Sequence, residues 1–78
     1  IDLVYSPETV DKKLIGCDRI VNERLGTVDY VWQGKELVLR LSPQEKSRLV
    51  VQLGTADPQL ALQAALRVKD DVAGIDLN

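Results

Sequence analysis

Apolar residues fall mostly into short runs of strand length, and one stretch carries them at helical spacing. Leu49-Val50-Val51-Gln52-Leu53-Gly54 is a run of the first kind, and residues 72–78 form another. Between them Gln59, Gln63, Arg67 and Asp70 recur three or four residues apart, which places them on one helical face. Leu60, Ala61, Leu62, Ala64, Ala65, Leu66 and Val68 make up a broad apolar face around them. Asp57 is a good N-cap, and Pro58 suits the first turn, where its missing N–H leaves nothing unpaired. The pattern predicts strand, helix and strand over residues 49–54, 59–70 and 72–78. Two strands joined by an amphipathic helix of this length make a βαβ unit with parallel strands.

Upstream, Ile1-Asp2-Leu3-Val4-Tyr5 reads as a strand. Ser6 as N-cap, Pro7 at the first helical position and Glu8 in the first turn predict a helix reaching Ile15, with Val10 and Leu14 inward and Gly16 as its stop. Residues 18–25 suit a second helical piece ended by Gly26, or an extended segment. Residues 28–32 and 36–40 have strand character on either side of Gln33-Gly34-Lys35, which predicts a hairpin with Gly34 near its tip. Ser42-Pro43-Gln44-Glu45 repeats the cap-then-proline signal and predicts a short helical turn before Leu49.

This order, strand, long excursion with a hairpin, strand, helix, strand, implies an α/β fold with a parallel sheet covered by crossovers. The candidates are a (β/α)8 TIM barrel and an open doubly wound sheet. Gly54-Thr55-Ala56-Asp57 matches neither the dinucleotide fingerprint nor a phosphate-binding loop, which favours the barrel. The 78 residues amount to one small domain at most. Ile1 opens inside an apolar run and Asn78 stands at a strand tip, with too few elements to cover a parallel sheet on both faces. The chain is therefore expected to be a piece of a larger α/β domain.

Composition narrows the chemistry. There is no His, which removes histidine-based triads and the commonest metal ligand, and no metal site is expected. The single Cys excludes an internal disulfide and fits a reducing compartment. No apolar run approaches the ~18 residues of a membrane span. Net charge is −2, with acids and bases interspersed, so the chain has no basic field of its own for nucleic acid. Lys35, Arg40, Lys46 and Arg48 read as a solvated face rather than a phosphate contact.

Alternation within strands assigns faces. Ile1, Leu3 and Tyr5, Leu49, Val51 and Leu53, and Ala73, Ile75 and Leu77 are expected to face the outer helices. Asp2, Val4 and Ser6, Val50, Gln52 and Gly54, and Gly74, Asp76 and Asn78 then point into the barrel. Ser6, Gln52, Gly54 and Asn78 would converge at the C-terminal ends of the strands, where barrel enzymes keep their active sites. An amide buried in a strand costs about 1–3 kcal/mol unless paired, so Gln52 is either an internal hydrogen-bond partner or a reader of a ring cofactor's edge. Asp76 reads as a satisfied carboxylate in a largely buried row, bracing the site. Glu8 serves either helix N-terminal electrostatics or a wall of the site. Asn78, at the strand tip, is the better candidate for ligand contact. Cys17 has no base near it in sequence and reads as a small apolar filler.

At Val51-Gln52-Leu53-Gly54-Thr55 and Asp71-Val72-Ala73-Gly74-Ile75-Asp76-Leu77-Asn78 the chain resembles the tRNA-dihydrouridine synthases. In that family the third barrel strand carries a V-Q-x-G-type motif and the fourth an I-D-x-N that runs into M-G-C-P, so the resemblance implies a partial TIM barrel, about strands two to four. Asp2-Leu3-Val4-Tyr5-Ser6-Pro7-Glu8, Cys17-Asp18-Arg19-Ile20-Val21-Asn22-Glu23 and Thr27-Val28-Asp29-Tyr30-Val31 look like its eukaryotic subfamily acting on position 20 of the tRNA D-loop. The resemblance implies a barrel enzyme of cytoplasm or nucleus that reduces the C5–C6 bond of uracil in tRNA with FMN and NADPH. Gln52 would bond the flavin ring and Asn78 the target uracil. The family's proton-donor cysteine would fall three residues beyond Asn78, and Cys17 is not its counterpart. The main tRNA grip would lie in other parts of the protein, and the 78 residues alone are expected to be inactive. Another FMN barrel, such as a dihydroorotate-dehydrogenase-like enzyme, and a small non-catalytic α/β interaction module are the alternatives.

Overall fold

In the computed structural model, which describes residues 2–78, the elements are, in chain order, β1 (Val4–Tyr5), β2 (Thr9–Val10), α1 (Asp11–Ile15), β3 (Cys17–Asn22), β4 (Thr27–Trp32) and β5 (Glu36–Leu41). A 3₁₀ helix (Pro43–Arg48), β6 (Leu49–Gly54), α2 (Pro58–Val68) and β7 (Gly74–Leu77) complete the series. The βαβ unit forms as its pattern dictates. β6 and β7 pair in parallel, with Val50 opposite Gly74 and Gln52 opposite Asp76. The Asp57 carboxylate accepts the Gln59 N–H at 2.9 Å and starts α2. Ala61, Ala64 and Val68 are the buried α2 side chains, and Ala64 and Val68 share one core with Val51 and Leu53. Leu62 and Leu66 stay 60% and 55% exposed, which narrows the expected apolar face to one stripe.

On the other side of β6 the structure departs from the expected helix after Pro7. β1 pairs with Leu49 and Val50, and β2 pairs with Leu53 and Gly54, both in parallel. They are two parts of one neighbouring strand, broken at residues 6–8, where it carries one residue more than β6. This is a β-bulge, and Pro7, which has no N–H for a ladder, sits in it. Ser6 therefore caps no helix, and Glu8 lies in an extended link rather than a first helical turn. β-branched Thr9 and Val10 join the sheet, and α1 is confined to Asp11–Ile15. Val4, not Tyr5, packs against the core, and Tyr5 is 54% exposed beside Val50. The facing expected for the first strand is thus reversed for Leu3, Val4 and Tyr5, because Val4 lies opposite core-facing Leu49. The expectation for Ile1 lies outside the described residues.

Residues 17–22 take the extended alternative. β3, β4 and β5 form an antiparallel sheet, with Gly26 at φ 67° ending the first turn. Gln33 and Gly34, at φ 53° and 69°, make the two-residue turn of the β4–β5 hairpin, closed by the Lys35 N–H to Trp32 carbonyl bond of 3.0 Å. Val28, Tyr30, Leu39 and Leu41 from this sheet meet Leu14, Leu49, Val51, Leu53 and Val68 in one core.

Two polar clusters lock the sheet in place. The Tyr30 hydroxyl, fully buried, bonds Asp71 and the Arg67 carbonyl, and Arg19 grips Asp71 with two bonds of 2.8 and 3.0 Å. Arg67 in turn donates to the Cys17 carbonyl. Burial and the neighbouring Asp71 carboxylate raise the Tyr30 phenol, while Arg19 holds Asp71 below the usual carboxylate range. Asp29 accepts from Arg40, Asn22 and Thr27, a thin polar cover whose outer layer is the solvent-facing Arg40 guanidinium. Arg40, more than the two neutral donors, lowers the Asp29 carboxyl.

Tyr30→Phe is expected to lower unfolding stability by about 1–2 kcal/mol, read as a lower urea midpoint at constant slope, because the Asp71 carboxylate loses a buried donor. Asp29 and Asp71 are depressed in the folded state, so their stabilisation is present above about pH 4 and is lost as pH falls below it. Asp29→Asn should accordingly be less stable than the parent at pH 7, and that deficit should shrink progressively in urea titrations from pH 5 to pH 2.

Candidate functional site

The bulge brings Ser6 against the middle of β6. The Ser6 hydroxyl accepts the Gln52 backbone N–H at 3.1 Å, and the Gln52 side-chain Nε2 donates to the Ser6 carbonyl at 2.6 Å. Where the outer strand lacks a regular ladder, these two side chains complete it. Ser6 is 7% exposed, so an unpaired carbonyl there would be costly. Gln52 is thus an internal hydrogen-bond partner through Nε2, while its Oε1 accepts no bond among the described residues.

Beyond the bulge, Glu8 leans over the end of β6. Its Oε2 accepts from Asn78 Nδ2 at 3.0 Å, which ties the first strand region to the tip of β7. A Cβ on Gly54 would stand 2.5 Å from Glu8 Oε1, so the carboxylate occupies the space that any larger residue at 54 would fill. The Asn78 backbone N–H donates to the Leu53 carbonyl at 3.0 Å and extends the β6–β7 ladder past β7. Gln52 and Asp76 lie side by side in register on one face. The structure therefore gathers Ser6, Glu8, Gln52, Gly54, Asp76 and Asn78 on one ledge at the C-terminal end of the parallel sheet. It corrects one expectation: Asp76 is exposed rather than sunk in a buried row, since no element among the described residues covers that face of β7. Glu8 starts no helix, so helix N-terminal electrostatics does not apply to it; its carboxylate stands at the edge of this ledge.

Two clefts flank the ledge rather than coincide with it. One of about 350 Å³ runs between β1 and β5 and includes Tyr5, Ser6 and Glu45. The other, about 370 Å³, lies beside Gly54 and is lined by Asp11, Lys12, Thr55 and Asp57. Asp11 is a residue that sequence reasoning passed over, because it reads as the solvent side of the expected helix. It is buried, and its Oδ2 has no partner among the described residues. Cys17 is buried, its thiol donates to the Lys13 carbonyl at 3.1 Å, and burial pushes it up, away from the thiolate form. Among the bases, Arg40 is held by Asp29 and Arg48 by Glu45. Among the described residues no group of three or more acidic, Cys or His side chains is placed to hold a metal, and no helix is long and apolar enough to cross a membrane.

The chain is 54% identical to the tRNA-dihydrouridine(20) synthase [NAD(P)+] of Saccharomyces cerevisiae and 48% identical to that of Schizosaccharomyces pombe. Each match covers 99% of this chain, which spans 22% and 17% of the length of those two relatives. The dihydrouridine synthase (Dus) family pattern matches residues 4–78, which include both strands whose tips form the ledge. The chain accordingly belongs to the dihydrouridine synthase family.

Proposed function

We propose that this chain forms about strands two to four of the TIM barrel of an FMN-dependent tRNA-dihydrouridine synthase, which reduces the C5–C6 bond of a uridine in tRNA at the expense of NADPH. The observation that carries the reading is the convergence of Gln52, Gly54 and Asn78 at one end of the parallel sheet in a chain of this family. In α/β barrels that end is where substrate and cofactor meet.

The ledge has the donor and acceptor set that a flavin ring and a uracil call for. With Nε2 committed to the Ser6 carbonyl, Gln52 keeps Oε1 free to accept from a ring N–H. Gly54 adds no side chain, which leaves room for the Glu8 carboxylate at the edge of the ledge. Bound there, FMN would supply the hydride to the uracil ring. Asn78 holds the base by its amide, and the carboxylate of Glu8 holds Asn78. Ser6 fixes the height and tilt of Gln52 from behind. The proton that completes the reduction is assigned to a cysteine three residues past Asn78, not to Cys17, which is buried away from the ledge. With a net charge of −2, this segment leaves the main grip on the tRNA phosphates to other parts of the enzyme. The segment alone is expected to be inactive.

The full-length protein that carries this chain should copurify with FMN and convert uridine to dihydrouridine in unmodified tRNA when NADPH is supplied, read by mass spectrometry of the digested RNA. A yellow protein that oxidises NADPH but leaves every tRNA uridine intact overturns the substrate assignment. Within that protein, Gln52→Ala should weaken FMN binding about tenfold, the equivalent of one lost hydrogen bond, measured by flavin fluorescence on titration. It should also lower stability by about 1 kcal/mol through the orphaned Ser6 carbonyl. Unchanged flavin affinity would count against the role given to Gln52.

A further inference from the structure

The contact between Glu8 and Asn78 does more than tie two strands together, because a carboxylate is acceptor-only. Glu8 Oε2 receives Asn78 Nδ2, so the amide cannot turn over without setting Oδ1 against a negative oxygen. The amide group is planar, and its oxygen and nitrogen point apart. Fixing the nitrogen on Glu8 therefore aims Oδ1 away from Glu8, and among the described residues nothing donates to it. The other oxygen of Glu8 lies over Gly54, where a Cβ would stand 2.5 Å away. Glycine at 54 is what lets the carboxylate reach the position from which it sets the amide.

We propose that Glu8 is a specificity-determining positioning residue: by holding Asn78 Nδ2 it presents Asn78 Oδ1 as a fixed acceptor, which selects a pyrimidine offering a ring N–H, as uracil does, over one offering a ring lone pair, as cytosine does. This rests on the reading of the ledge as a uridine-reducing site. Facing Oδ1 with the lone pair of a cytosine ring nitrogen sets two acceptors against each other, and a site built to receive an N–H discriminates strongly against a ligand without one. A freely turning amide would serve either base. Glu8 touches neither the base nor the flavin in this scheme and acts only through Asn78.

The test is a double-mutant cycle in the full-length, FMN-loaded enzyme with Glu8→Gln, Asn78→Ala and the pair combined. Glu8→Gln keeps the size of the side chain and removes the acceptor-only character, so a merely steric role would survive it. The expected result is a fall of about tenfold in kcat/KM on tRNA for Glu8→Gln, with no further fall when it is added to Asn78→Ala. Melting temperature and flavin content should stay at the parent values for Glu8→Gln. Gly54→Ala, which displaces the Glu8 carboxylate by contact, should reproduce the loss. A competing transcript with cytidine at the reduced position should inhibit the parent about tenfold less well than the uridine transcript, and Glu8→Gln should erase most of that difference. Losses that multiply in the double variant, or a uridine preference unchanged in Glu8→Gln, overturn this proposal while leaving the enzyme's function intact. A parent enzyme that reduces no tRNA uridine overturns the functional reading, and this proposal with it.

Discussion

The exchange of hydrogen bonds between Ser6 and Gln52 is the constraint around which the sheet is organised. A parallel ladder has to pair each buried N–H and C=O, and the extra residue beside Pro7 interrupts it next to the central strand. The serine hydroxyl and the glutamine amide stand in for the missing backbone groups. Because they do, β1 and β2 both lie along β6, and the chain between them can leave the plane. That excursion is what lifts Glu8 over Gly54 and within reach of Asn78. The polar side chains that a functional reading would spend on ligands are, in the first instance, repairing the backbone.

The antiparallel sheet depends on a different kind of fastening. Its inner face joins the common core through Val28, Tyr30, Leu39 and Leu41, but apolar contact alone leaves orientation loosely specified. Tyr30, Arg19 and Asp71 join that sheet to the loop between α2 and β7, and Arg67 reaches back from α2 to the backbone at Cys17. The tether therefore ends at the segment that leads into β7, whose far tip carries Asn78. Asp71 is both the anchor of the hairpin sheet and the start of the segment that ends in the ledge.

On the proposed function, the ledge divides its labour by how firmly each group is held. Gln52 is pinned from behind and offers one acceptor, whereas Asn78 is steered by Glu8, which reaches it across the end of β6. Such second-layer support is what keeps a site within the small tolerance that catalysis demands. Exposed Asp76 and the uncovered Leu62 and Leu66 mark surfaces that no described residue buries.

The βαβ unit, its Asp57 cap, the hairpin turn at Gln33-Gly34 and the 3₁₀ turn after Pro43 were all legible in the residues, because each rests on local chemistry: a cap, a positive φ, an apolar run. The parallel pairing that sets Gln52 beside Asp76 on one face was legible too, since a βαβ unit and a period of two dictate it. Local signals misled at Ser6-Pro7, where cap-then-proline reads equally well as a helix start and as a bulge in a strand. Only the pairing of Thr9 and Val10 with β6 decided between them. The same long-range register reversed the facing of Val4 and Tyr5, buried Asp11 and left Asp76 exposed. Which partner Glu8 takes was likewise beyond the sequence, because it is set by a bulge that raises one strand segment over another distant in the chain. Residue type and spacing determined which elements form and which side chains stand at their ends. The tertiary structure alone decided how those ends meet, because a hydrogen bond between residues 8 and 78 exists only once the sheet has closed between them.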